Sequence, residues 1–234
     1  MSLSLSRRDG RKANQIRPLA AEQGILNRAD GSARFVQGNT SVLAAVYGPA
    51  PAKAVRMEKA DGATVDVSFK PESGGMTSAA AEAETEALLR RSLEEVVLRS
   101  RYPRAVVSVV IQVIADDGSV VSAALNAATM ALVNAGVEMT GMALSVTCCI
   151  TDASTGRSVL LDPCKAEEGE AAAIAAVATL TTGGGVLSCR AAGLMSREEY
   201  FACCEAAAQG TAAVRSFVRM SVEQKVKREA ETLR

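Results

Sequence analysis

The chain has 234 residues, 48% of them hydrophobic, and its 26 basic side chains are matched by 26 acidic ones. That length is enough to bury a substantial core. The charge balance excludes a strongly basic, free-standing nucleic-acid binder and leaves room for a local basic patch. There is no histidine, which removes Ser-His-Asp and Cys-His catalysis and histidine-ligated zinc.

Taken in chain order, Leu3–Lys12 is polar and is expected to belong to a flexible arm over residues 1–12. Ala33–Val36 and Ser41–Tyr47 flank Gly38-Asn39 in the pattern of a β-hairpin, which Gly48-Pro49-Ala50-Pro51 is expected to end. Val65, Val67 and Phe69 alternate with polar residues and predict a strand over Thr64–Phe69; Pro71-Glu72-Ser73-Gly74-Gly75 reads as a loop. A helix is predicted over Ala79–Arg99, stopped by Tyr102-Pro103. Leu89, Leu93, Val96 and Val97 share one of its faces, and Glu82, Glu86, Arg90 and Glu94 the other, with Glu86 and Arg90 spaced as an i,i+4 pair.

The β-branched run 105–115 predicts a strand and the alanine-rich run 119–135 a helix. Met142–Thr151 and Arg157–Leu161 read as a second hairpin around Asp152–Gly156. In Ala171–Ala178 the alanines favour helix. Ile174, Val177 and the approach to a hairpin turn at Gly183-Gly184-Gly185 favour strand, and strand is preferred. Ser196–Glu231 predicts a long helix opened by a Ser196/Glu199 capping box, with Val214, Val218, Val222 and Val226 as its buried stripe. With no linker-like stretch and no short repeat, the order implies an α+β fold in one domain over residues 1–234.

Residues 1–10 hold no apolar core of signal-peptide length, and the weakly polar run Ala171–Thr182 is too short to span a bilayer. The expectation is a soluble, intracellular chain. Cys148, Cys149, Cys164, Cys189, Cys203 and Cys204 are then expected to be reduced and mostly buried.

Three stretches are candidates for chemistry. Asp116-Asp117-Gly118-Ser119 joins a strand to a helix, and helix-start amides bind anions. Yet no lysine or arginine occurs from Ala105 to Gly156, and Ser119 is accounted for by an N-cap role alone. Glu167, Glu168 and Glu170 read as a solvated acidic loop or as donors of a metal-dependent hydrolytic site. Arg99, Arg101 and Arg104 around Tyr102 have the composition of a single-stranded RNA contact; a helix C-terminus favours arginines as well. Arg7, Arg8, Arg11 and Lys12 suit either RNA or partner contact or a solvated arm.

Residues 9–49 carry D-G-R, Q-I-R-P, G-S and G-N-T-x-V in DGRKANQIRPLAAEQGILNRADGSARFVQGNTSVLAAVYGP. IQVIADDGSVVSAALNAATMALVNAGV (111–137) and LLDPCKAEEGEA (160–171) follow. Together they resemble the ribonuclease PH family over nearly the whole chain, in wording nearest to its eukaryotic exosome-ring members. The resemblance implies a ribonuclease PH-like fold of paired βαβα units with a long C-terminal helix. Active members use inorganic phosphate to remove 3′ nucleotides from RNA, in six-membered rings around an RNA channel.

The family pattern, carried residue by residue, implies a degenerate site. In active members the turn reads G-G-T-R-T-A, its arginine and hydroxyl holding the attacking phosphate. Here Gly118 and Ser119 remain as a vestigial phosphate turn and Val120 stands for the arginine. A second phosphate or RNA arginine, before the segment that is Arg90-Arg91-Ser92-Leu93 here, aligns within Ala79-Ala80-Ala81-Glu82. Of the catalytic acids in E-D-S-x-A-E-T-D-M, Glu168 keeps the first and Ile174 replaces the second, which supports magnesium.

The implied function is a non-catalytic subunit of an exosome hexameric ring, lining the RNA channel and supporting 3′-to-5′ RNA processing and decay, with no catalytic residue, metal or cofactor of its own. Its partners would be other ribonuclease PH-like ring subunits, an S1/KH-type cap subunit and single-stranded RNA, with homodimers when isolated and no membrane. Its place would be nucleus, nucleolus and cytoplasm. The alternative is a homo-oligomeric nuclease acting through Glu167 and Glu168: phosphorolytic with magnesium and inorganic phosphate, or a metal-dependent hydrolytic DNase.

Overall fold

The computed structural model describes residues 7, 9–52, 54, 57–73, 78–152 and 156–232. The expectations for Leu3–Ser6, Arg8, Gly74-Gly75 and the centre of the Asp152–Gly156 turn lie outside the described residues.

Alternating burial builds the first sheet from β1 (Leu19–Gln23), β2 (Gly31–Gln37), β3 (Thr40–Pro51), β4 (Thr64–Lys70) and β5 (Ala105–Ala115), in the order β1-β2-β3-β5-β4. β4 and β5 run parallel, a pairing that needs a crossover. α1 (Ala79–Val96) supplies it and packs on β4. β6 (Ala143–Ile150), β7 (Val159–Leu161), β8 (Ala173–Leu180) and β9 (Val186–Gly193) form a second, antiparallel sheet in the order β7-β6-β8-β9.

α2 (Val120–Asn134) joins the halves. It packs on β2 and β3 of one sheet and on β6 of the other, and it is buried from Ser122 to Leu132. Small residues make this approach possible: a Cβ on Gly31 would lie 2.4 Å from the Ala131 carbonyl oxygen. Toward β6, α2 carries polar groups, and each finds a partner. Ser122 bonds Ser145 and Thr147, Asn126 exchanges bonds with the Ser145 backbone, and Thr129 donates to the Ala143 carbonyl. A buried hydroxyl or amide left unpaired would be costly, so this ladder fixes the helix against the sheet. α3 (Lys165–Glu170) is short; α4 (Arg197–Thr232) covers β6, β7 and β8 and reaches the first sheet at β1, and its Phe217 meets Phe35 of β2 edge-on at 6.2 Å.

Several boundaries differ from expectation. β3 continues past Gly48-Pro49 because a bulge lets Ala50 and Pro51 re-pair with Val106 and Ala105. α1 stops at Val96, three residues early: Val97 is extended and bridges to Met139, and Leu98 N–H bonds the Glu138 carbonyl. A single 3-10 turn, Arg99–Arg101, follows. Glu86 accepts from Phe69 N–H at 2.8 Å in place of the expected Arg90 pairing. The Ser196/Glu199 capping box is present, but its helix leaves the body before its end: Val214 and Val218 are buried, Val226 exposed. The arm is anchored rather than loose at Arg7, which is 5% exposed because its guanidinium fits among carbonyl and carboxylate oxygens.

Candidate functional site

Between β5 and α2 the chain turns through two positive φ angles, 83° at Gly118 and 57° at Ser119. Glycine is required at 118 for a second reason. A Cβ there would lie 2.7 Å from the Cys164 carbonyl carbon and the Lys165 nitrogen. The left-handed conformation also redirects Ser119: its hydroxyl donates to the Pro163 carbonyl at 3.0 Å and makes no cap bond, so the N-cap expectation is corrected.

The turn's amides are already taken. Asp117 N–H bonds Thr40 Oγ1, Gly118 N–H bonds the Asp116 carboxylate at 3.0 Å, and Ser119 N–H bonds the Glu168 carboxylate at 2.7 Å. Two carboxylates of the protein itself thus stand where an anion would be received.

A buried ion-pair scaffold holds this turn. Asp162, fully buried, receives the Arg17 backbone N–H at 2.7 Å and its guanidinium at 2.7 and 3.1 Å. The same guanidinium reaches back to the carbonyls of Asp117 and Gly118. Burial opposes ionisation of Asp162, but the Arg17 fork outweighs it and holds the carboxyl below its ordinary range. The sequence alone points to no role for either residue: 145 positions separate them, so spacing carries no signal.

The acids near 168 form a half-buried helix, not a solvated loop. Arg7 grips Glu167 bidentately, and Cys164 N–H bonds it at 3.0 Å. Burial works against the Glu167 charge, and these partners overcome it, lowering its pKa. Burial pushes the Glu168 carboxyl upward, helped by Asp116 and opposed by the Ser119 N–H. The two glutamates therefore bond different partners. Among the described residues no three acidic or cysteine side chains are grouped to hold a metal.

Two adjoining cavities lie over the start of α2, sharing Asp116, Val120, Val121 and Arg190. The larger, about 300 Å³, adds Ser119, Glu168 and Ile174; the other, about 200 Å³, adds Ala81, Glu72 and Lys165. The fold thus brings together Ser119, Val120, Glu168 and Ile174, and places Ala81 beside them. Sequence reading missed Lys165 and Arg190. Lys165 pairs with Asp116 at 2.9 Å, a bond that raises its pKa, and Arg190 pairs with Glu84 at 3.3 Å. Each cation in the cleft already faces a carboxylate.

Residues 15–138 match domain 1 of the 3′ exoribonuclease (RNase PH) family, and residues 141–210 match domain 2. The chain belongs to the ribonuclease PH family. It is 36% identical to the exosome complex exonuclease RRP46 homolog of Arabidopsis thaliana, over 95% of this chain and 98% of that one. Identity to the corresponding rice protein is 33%, over 93% and 96%. The crystal structure of rice Rrp46 superposes with a TM-score of 0.85 at 35% identity, covering 93% of this chain and all of the other. An archaeal exosome core chain at 20% identity has the same fold, with a TM-score of 0.76.

Val120, Ile174 and Ala81, the positions that the resemblance sets against the family's arginines and acid, all line these adjoining cavities. Arg99–Arg104 lies at the other end of β5, an 11-residue strand roughly 35 Å long. There Arg101 pairs with Glu138, Arg104 with Glu58, and the Tyr102 hydroxyl accepts from Glu138 N–H. Ser119→Ala should cost about 1 kcal/mol in urea unfolding, because a buried hydroxyl loses its bond and Pro163 its donor. Unchanged stability would show that this bond contributes nothing.

Proposed function

We propose that the chain is a non-catalytic subunit of an exosome-type hexameric ring, where it forms part of the RNA channel wall. The observation that carries this reading is the occupied turn: Asp116 and Glu168 take the amides of Gly118 and Ser119. Phosphoryl transfer depends on charge stabilisation and positioning together, and the cleft offers valine and isoleucine in place of the family's arginine and acid. The names of the relatives, exosome subunits along nearly their full length, support the assembly.

Ring neighbours would be other ribonuclease PH-like subunits, with an S1/KH-type cap above them and single-stranded RNA in the channel; the compartments would be nucleus, nucleolus and cytoplasm. Apolar side chains left at the surface favour such burial: Tyr47, Val110 and Ile114 on the first sheet, Leu194 and Phe201 beside β9. Arg99, Arg101 and Arg104 are proposed as its RNA contacts, weakened in the isolated chain by the pairing of two of them with glutamates.

Native mass measurement of the affinity-purified natural complex tests this. We expect one copy alongside other ribonuclease PH-like chains, and weaker RNA binding by the isolated chain than by the complex. Tight, salt-sensitive RNA binding by a homo-oligomer alone would favour the nuclease alternative.

A further inference from the structure

The N-terminal arm reaches α3 through two arginines, of which only one is engaged. The Arg7 guanidinium, its side chain 1% exposed, holds both Glu167 oxygens at 2.8 and 2.5 Å and donates to the carbonyls of Leu161 and Asp162. Arg11 stands beside it and bonds the carbonyls of Gln15 and Asp162 through Nη1. Its Nη2 is buried, has no hydrogen-bond partner, and lies 3.9 Å from Glu167 Oε2. Nothing in the proposed RNA function uses these arginines.

We propose that Arg7 is a latch: seated on Glu167 it holds α3 against the Gly118–Ser119 turn, and when it leaves, Arg11 takes over Glu167 and α3 loosens. Leaving a buried carboxylate unpaired is strongly unfavourable, so a lone Arg7–Glu167 pair would be a fixed tie. The idle Arg11 nitrogen removes that obstacle. It offers one nitrogen in place of the Arg7 two-nitrogen clamp, so the charge is met and the grip is weaker. The backbone permits the movement as well. Gly10 has a φ of 75° and nothing within 4 Å of an added Cβ. Beyond it the chain is pinned: the Ala13 carbonyl accepts from Leu161 N–H at 2.7 Å, and Arg17 is bound to Asp162. Arg7 can therefore swing about Gly10 without disturbing the Arg17 scaffold.

α3 carries the movement to the cleft. Its Lys165 N–H bonds the Asp117 carbonyl at 3.1 Å, and Glu168 takes the Ser119 N–H at 2.7 Å. Lys165 lines one of the two adjoining cavities and Glu168 the other. A helix of six residues has little stability of its own. Arm and cleft are thereby coupled, and the coupling runs both ways. Whatever draws Arg7 away frees the Ser119 amide, and whatever displaces Glu168 from the turn loosens the arm.

Hydrogen–deuterium exchange of the full-length chain tests this, with alkylation of the half-buried Cys164, which caps α3, as a second readout. In the unmodified chain the amides of α3 and of the Gly118–Ser119 turn should exchange as one unit, ahead of those of β6 and β8. Arg7→Met should speed exchange at both places, and Cys164 alkylation, by about tenfold, the loss of one charge-assisted hydrogen bond. β6 and β8 should not change. Arg11→Met alone should leave α3 as slow as in the parent, because Arg7 stays seated. The double variant should exceed the product of the single effects, because Glu167 then meets no arginine. Where Arg7→Met does not fold, the unmodified chain still decides: α3 exchanging independently of the turn, or as slowly as β6 and β8, overturns the latch. So does unchanged α3 exchange in Arg7→Met, uniform speeding that includes β6 and β8, or a double variant no faster than Arg7→Met.

Discussion

Asp162→Asn is expected to lower the stability of the chain by about 3 kcal/mol, the cost of removing one partner of a buried pair. Arg17 would keep its charge at 5% exposure with only the partly exposed Asp117 carboxylate, 3.7 Å away, left to meet it. Asp162 also sits at a φ of 53°, a conformation asparagine tolerates and alanine resists. Asp162→Ala should therefore cost more, by about 1 kcal/mol, and the difference between the variants separates charge from backbone strain. Urea unfolding at neutral pH measures both. The acid limb provides an independent check. Asp162 has its pKa held below 3.8, so its contribution is fully present above that value and fades as pH falls from there toward the lowered pKa. Asp162→Asn should flatten that part of the acid-denaturation curve. A variant within a few tenths of a kcal/mol of the parent, with an unchanged acid limb, would show that the pair does not hold the turn.

Gly118→Ala is the second large effect, about 3 kcal/mol. Part is the positive φ, and part is the collision with the backbone of Cys164 and Lys165. Gly136→Ala is the control: its φ is 70°, but nothing lies within 4 Å of the added carbon, so about 1 kcal/mol is expected there. Equal losses in the two variants would mean that the close approach between the turn and α3 does not constrain position 118.

The long periodic elements were legible because their faces are set by their own sequence. β5, the β2–β3 hairpin, α2 and α4 fall close to where alternation, turn residues and capping place them. β1, α3 and β9 were not legible, for separate reasons. Leu19–Gln23 is short, half-buried and defined by pairing with β2. Lys165–Glu170 is too short to nucleate a helix by itself and is held by the Arg7 grip and the Cys164 cap. Val186–Gly193 is a half-exposed edge strand without a clean alternation.

The site divides the same way. Val120, Glu168 and Ile174 could be placed from the family pattern, and the fold brings them together. Lys165, Arg190 and the Arg17–Asp162 pair owe their positions to tertiary contacts across elements. Ser119 departs from the N-cap expectation because a cap assumes extended backbone, and Ser119, like Gly118 before it, takes a positive φ.

Release of nucleoside diphosphates from single-stranded RNA by the purified chain, with magnesium and inorganic phosphate, tests the central claim most directly. Background release is expected from the unmodified chain. The same is expected from Val120→Arg, whose guanidinium would meet Asp116 and Glu168 in the cavity while Ala81 and Ile174 still offer no charge. Val120→Arg with Ile174→Asp and Ala81→Arg is the smallest set expected to rebuild the site, once folding is checked, since a carboxylate at the half-buried position 174 is costly. Phosphate-dependent shortening of RNA by the unmodified chain would contradict the account.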